Sequence, residues 1–140
     1  MRFLVIDGQG GRLGRRLLEC VREVCPDAEI TAVGTNSAAT ENMRRSECAD
    51  HLATGENAVV VACRRAEVIV GPLGIALADA LMGEITPAMA HAVTASDADR
   101  ILIPMNLCQT YVAGVSRSSS AILEDAAARI RQLRDEKQSQ

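Results

Sequence analysis

The chain has 140 residues, enough for one domain and too few for two of ordinary size. Its 15 basic and 18 acidic residues leave a net charge of −3, and Phe3 and Tyr111 are its entire aromatic content. That excludes the basic footprint that phosphate backbones demand and the aromatic platforms on which single-stranded bases stack. Nucleic acid is therefore not an expected partner.

Arg2 to Ile6 is a short apolar run without alternation, the pattern of a strand buried on both faces. A helix follows over about 11–25. Its Leu13, Leu17, Leu18, Val21 and Val24 recur at three- and four-residue steps, and Pro26-Asp27 stops it. Glu29 to Val33 is a second strand, closed by Gly34-Thr35-Asn36, and a helix is expected over 37–47. Cys48 to Ala53 stays open between a loop and a short third strand.

The stretch 54–66 contains the β-prone run Ala58 to Ala62, yet Thr54 suits a helix cap. Helix is the preferred reading, because Val68-Ile69-Val70 makes the better strand, closed by Gly71-Pro72. A further helix is expected over 73–82. Thr86-Pro87 is a strong helix start, a capping hydroxyl followed by Pro at the first helical position, and that helix runs to about Ala95. Arg100 to Ile103 is a strand, and Thr110 to Val115 is one more candidate. Ser116 to Ser120 supplies caps for a last helix over 121–136, with an apolar stripe at Ile122, Ala126, Ile130 and Leu133. Leu123, Ala126, Ile130 and Leu133 suit docking on the sheet or on a symmetry mate. Residues 137–140 form a polar tail expected to fray.

Strands alternating with helices imply one α/β domain over 1–136. The expected layout has three layers, a doubly wound, mostly parallel, Rossmann-like sheet with right-handed crossovers. The amino terminus runs into Asp7 and glycines without the apolar stretch of a signal peptide. The most apolar region, Val68 to Met82, is broken by Gly71, Pro72, Gly74 and Asp79, so no membrane span is expected. The five cysteines contain no CxxC pair, so the expectation is a cytoplasmic protein with reduced, mostly buried thiols.

The informative motif is Asp7-Gly8-Gln9-Gly10-Gly11-Arg12-Leu13-Gly14, set between the first strand and the first helix. Glycines there allow a tight turn and close approach of backbone to a phosphate, and the helix start offers free N–H groups. The spacing fits Gly8-x-x-Gly11-x-x-Gly14. It fails strict GxGxxG, because Leu13 stands where Gly is required. The loop resembles the nucleotide loop of dihydrodipicolinate reductases over about the first 35 residues. That resemblance implies a nucleotide cofactor, NAD(P) among the candidates. A dinucleotide fold usually carries an acidic residue at the end of its second strand, and here Thr35 and Asn36 occupy that place. Asp7 is a second departure, since a carboxylate beside a phosphate loop repels an anion.

In an open parallel sheet, ligands lie outside the carboxyl ends of the strands. Four segments fall there: Asp7 to Gly11, Gly34 to Asn36, Gly71 to Gly74 and Pro104 to Asn106. The candidate binding residues are Gly8, Gln9, Gly10, Gly11, Arg12, Leu13, Gly14, Thr35, Asn36, Gly71, Pro72, Gly74 and Asn106. Candidates for chemistry are Asp7, Glu84 and Cys108. Glu84 suits a general acid or base, or a charge placed near the next helix start. Cys108 suits a nucleophile after a strand end, or a buried thiol. His51 and His91 lack the partners of a triad or metal site, and no metal is expected.

A wider likeness runs from about Phe3 to Val115. Its carriers are Val5 to Gly11, Gly34 to Asn36, Ala53 to Ala58, Gly71 to Ile75, Gly83 to Pro87 and Leu102 to Asn106. On these segments the chain resembles a bacterial family known only as a domain of unknown function, number three-eight-four-two. The resemblance implies a small Rossmann-like cytosolic protein and supplies no activity. It includes Asp7, which makes that residue part of the family design. The expected function is a sensor or regulatory module that binds a nucleotide or phosphorylated small molecule at Gly8–Gly14, as a homodimer. Two alternatives stand beside it: a small NAD(P)-dependent enzyme completed by a dimer partner, and an interaction protein with a vestigial loop.

Overall fold

The computed structural model describes residues 1–105, 109–115 and 118–140. Five strands are present among them: β1 (Arg2–Asp7), β2 (Glu29–Gly34), β3 (His51–Thr54), β4 (Val68–Pro72) and β5 (Asp99–Ile103). All pair in parallel, in the order β3-β2-β1-β4-β5. The helices are α1 (Arg12–Val24), α2 (Ser37–Arg44), α3 (Glu56–Cys63), α4 (Pro87–Ala95) and α5 (Ser119–Gln138). The expected parallel, Rossmann-like sheet is therefore present, with helices on both faces.

Side-chain alternation along each strand divides the core in two. Phe3, Val5, Ile30, Ala32, Val68 and Val70 pack with Leu17, Leu18 and Val21 of α1, Met43 of α2 and Ile130 of α5. Leu4, Ile6, Val33 and Ile69 pack on the opposite face with Val59 of α3 and Met89 and Val93 of α4. Strands buried on both faces must be apolar throughout, which is why Phe3 to Ile6 shows no alternation. Ala126, Ile130 and Leu133 of α5 are buried in the chain's own core, so the stripe docks at home.

Three expectations require correction. No helix spans 73–82. A single 3₁₀ turn, Leu73–Ala76, gives way to consecutive turns. No strand forms over 110–115. That stretch bends, with the Val115 N–H on the Val112 carbonyl and Tyr111 exposed. Thr54 does not cap α3; it ends β3, and its hydroxyl pairs with that of Thr40 at 2.7 Å. The cap position belongs to Gly55, whose φ of 102° favours glycine. The open stretch before it resolves as the short edge strand β3. At the far end, α5 runs to Gln138, and Lys137 pairs with Glu67. Among the described residues, no helix is long and apolar enough to cross a membrane.

Candidate functional site

The chain leaves β1 toward β2 and β3, then returns to β4 on the other side of β1. The carboxyl ends of β1 and β4 therefore flank the point where strand order reverses, the place where open sheets form a crevice. Asp7 ends β1 there. Gly8 and Gln9 follow, and Gly11, in the left-handed region at φ 72°, starts α1 with its N–H on the Gly8 carbonyl at 2.9 Å. A Cβ on Gly11 would lie 2.6 Å from the Ala39 carbonyl oxygen, so this position admits only glycine.

Asp7 is 6% exposed, the one buried charged residue among those described. Its Oδ1 accepts from the Gly8 N–H at 2.8 Å and its Oδ2 from the Gly14 N–H at 2.7 Å. Gly14 is in the first turn of α1, where backbone N–H groups lack intrahelical partners. Asp7 thus caps α1 from the strand before it. Burial pushes its carboxyl above the ordinary value; the N–H groups of Gly14 and Gly8 pull it down, and the charge of Glu84 pushes it up again. Gly14 has no Cβ because one would meet Met43 Sδ at 2.6 Å and the Asp7 Cβ at 2.7 Å.

Glu84 reaches this loop from the segment after β4. Its Oε2 accepts from the Gln9 N–H at 2.8 Å. Its Oε1 accepts from Asn36 Nδ2 at 2.5 Å and from the Thr35 hydroxyl at 3.3 Å. Asn36 also caps α2, accepting the Ala39 N–H at 2.8 Å, and donates to the Gln9 carbonyl at 3.0 Å. Three donors from the ends of β1 and β2 thus converge on one carboxylate. The acidic group that sequence reasoning found missing after β2 is present there in space, supplied from the far side of the crevice.

Leu81 of the same segment covers Gly8: a Cβ on Gly8 would fall 2.9 Å from Leu81 Cδ1 and 3.1 Å from Glu84 Oε2. The segment's base is closed by the Asp79 N–H on the Ile85 carbonyl and the Ile85 N–H on the Ala80 carbonyl. Its tip is strained, with Leu81, Met82 and Gly83 at φ 54°, 55° and 87° in succession. Two L-residues in that region store about 2–4 kcal/mol. The three hydrogen bonds that Glu84 accepts offset part of that strain.

Other candidates fall elsewhere. Gly71 and Gly74 are buried packing positions. A Cβ on Gly71 would meet the Ile6 carbonyl oxygen at 2.5 Å, while Gly74 lies beneath Ala80 and Leu81. Pro72 is buried at the end of β4. Gly10 is exposed and unobstructed, and its carbonyl accepts from Asn42 Nδ2 at 2.8 Å. Arg12 is exposed, and Leu13 packs against the core. Asn106 and Cys108 lie outside the described residues. Leu81 and Asn42 carried no sequence signal; their contacts to the loop span the fold. Among the described residues, no three His, Cys, Asp or Glu side chains gather as metal ligands. Burial pushes the Cys63 thiol to about 11, out of the reactive range.

The chain as a whole matches one family model. It belongs to the family described as Domain of unknown function (DUF3842), whose model matches residues 2–135. No curated protein matches. Among solved structures, the chain is similar to a dodecameric FMN-dependent UbiX-like decarboxylase from Escherichia coli O157:H7. That likeness has 16% identity and a TM-score of 0.47, over 95% of this chain and 93% of that one. A likeness this distant says nothing of ligand or chemistry.

Proposed function

We propose that the chain is a binding module for a nucleotide or another phosphorylated small molecule, without chemistry of its own. The ligand's anionic group takes the position that Glu84 fills. One observation carries this reading: the Gln9 N–H, the Thr35 hydroxyl and the Asn36 amide converge on a single negative group. Donors gathered from two strand ends suit an anion with several acceptor oxygens, and a phosphate offers more than a carboxylate. The N–H groups of Arg12 and Leu13, in the first turn of α1, add positive partial charge nearby. Asp7 already holds the Gly8 and Gly14 N–H groups, so the ligand's anion belongs on the Gln9 side of the loop, toward β2. We further propose a homodimer in the cytoplasm, the first part of which light scattering tests.

A second reading, a small NAD(P)-dependent enzyme completed by a partner subunit, draws on the strand order. It matches the dinucleotide-binding order short of its sixth strand. It asks more of the site. Both Asp7 oxygens hold backbone N–H groups and Glu84 holds three donors, so neither carboxylate is free to move a proton. Thermal unfolding with AMP, ATP, NAD, NADP and a flavin nucleotide tests the proposal. At least one should raise Tm by mass action. Asn36→Asp keeps an oxygen for the Ala39 N–H while removing the donor and adding charge, and it should abolish the shift. No shift with any nucleotide, or a shift undiminished in Asn36→Asp, overturns the reading.

A further inference from the structure

We infer that the tip Leu81–Glu84 is a gate over the glycine loop, latched by Glu84 acting as the protein's own stand-in for the ligand's anion. This rests on the anion-binding reading above and adds its regulation: entry of the ligand and release of the tip are one exchange. Four observations point the same way.

The tip covers what a ligand would need. Leu81 lies on Gly8, and Glu84 holds the three donors that converge on the loop. The tip's backbone is tied to its own base, with the Gly83 N–H on the Asp79 carbonyl at 3.1 Å, and Leu81 packs down on Gly8 and Gly74. Ile75 and Ile85 are each 1% exposed, and the two backbone bonds between Asp79, Ala80 and Ile85 close the neck. Between those anchors, Met82 is 94% exposed. Within the tip the backbone is strained at Leu81 and Met82, so it relaxes when its hold is lost. The polar part of the hold is made by one side chain, beside the apolar packing of Leu81. Glu84 is the tip's only hydrogen-bonding side chain, and all three of its partners lie outside the tip, in the β1–α1 loop and just after β2.

Competition of this kind has a defined consequence. A ligand binds only the fraction of molecules whose tip is open, so apparent affinity falls by that fraction. Removing Glu84 raises affinity, and the gain measures how far the wild type is closed.

The test has two arms on the full chain. In the first, wild type and Glu84→Ala are digested with chymotrypsin without ligand. Cleavage at Leu81 and Met82 reports the population of open tips. Tyr111, 85% exposed and remote in the chain, is the internal reference. The gate predicts several-fold faster cutting at Leu81 and Met82 in Glu84→Ala, with equal cutting at Tyr111. Equal cutting at the tip overturns the gate, whatever binds. In the second arm, AMP and inorganic phosphate are titrated into both proteins by calorimetry. The gate predicts several-fold tighter binding to Glu84→Ala, and faster tip cleavage of wild type once the probe is bound. Weaker or unchanged binding overturns it. A latch that releases in the first arm while neither probe binds either protein overturns the anion-binding reading and leaves the latch standing. Glu84→Gln, which keeps the side chain's shape and one acceptor, falls between the two proteins and guards against a misfolded alanine variant.

Discussion

Two carboxylates meet at one edge of this sheet, and they are held in opposite ways. Asp7 ends a central strand, is buried, and accepts only from backbone N–H groups of its own strand–helix junction. Glu84 stands on a strained, exposed tip and accepts largely from side chains of another strand end. Backbone donors cannot leave without undoing α1. Side-chain donors can trade one anion for another at little structural cost. The contrast separates a residue that builds the loop from a residue that occupies it.

The strongest way to break this comparison is to remove Asp7. Asp7→Ala leaves the Gly8 and Gly14 N–H groups buried without partners. The expected loss is about 2–6 kcal/mol in urea unfolding, at about 1–3 kcal/mol for each of the two orphaned groups. Glu84→Ala should cost far less, because its donors then face water. Equal losses would erase the distinction. Gly11→Ala is next. It forces an L-residue to φ 72° against the Ala39 carbonyl at 2.6 Å, and about 1–3 kcal/mol is expected on the same curve.

The charge on Asp7 sharpens the comparison through pH. Burial holds its folded value above the unfolded one, so the folded chain keeps a proton that the unfolded chain releases. Above the folded value the buried charge costs stability. As pH falls through that value toward the ordinary carboxylate range, the cost is relieved. The stability of wild type relative to Asp7→Ala should therefore rise on acidification from neutrality, read by unfolding both proteins across that window. A flat difference would mean that the Gly8 and Gly14 N–H groups cancel the burial. The smallest expected effect is at Gly10, where nothing lies within 4 Å of an added Cβ. Gly10→Ala should change stability by less than about 0.5 kcal/mol in the same unfolding measurement.

The strands and α1 were readable because burial on two faces, or on one helical stripe, leaves a local pattern. Phe3 to Ile6 and the Leu17-Leu18-Val21 spacing carry it, and the glycine loop follows from their junction. The segment 73–82 misled because its apolar, alanine-rich composition suits a helix. Its apolar residues bury by folding back instead, with Leu81 onto Gly8 and Gly74 and the neck tied at Ile85. Nothing local distinguishes the two outcomes. The partners of Glu84 were equally invisible, since they lie 48, 49 and 75 residues away. The missing acidic residue after β2 was read correctly as an absence in sequence; only the fold brings a carboxylate to that spot. The candidate residues Gly71 and Gly74 are both buried, Gly71 against Ile6 and Ile75 and Gly74 against Ala80 and Leu81.

The central claim is that the Glu84 position, and not the Asp7 position, receives a ligand's anion. Titrating inorganic phosphate and AMP into the ¹⁵N-labelled chain tests it directly. The backbone amide of Gln9 and the side-chain amide of Asn36 should shift together and saturate, at lower concentration in Glu84→Ala, while the Gly14 amide held by Asp7 stays nearly fixed. Shifts confined to Gly14, or Gln9 and Asn36 unmoved by either probe even in Glu84→Ala, would contradict it.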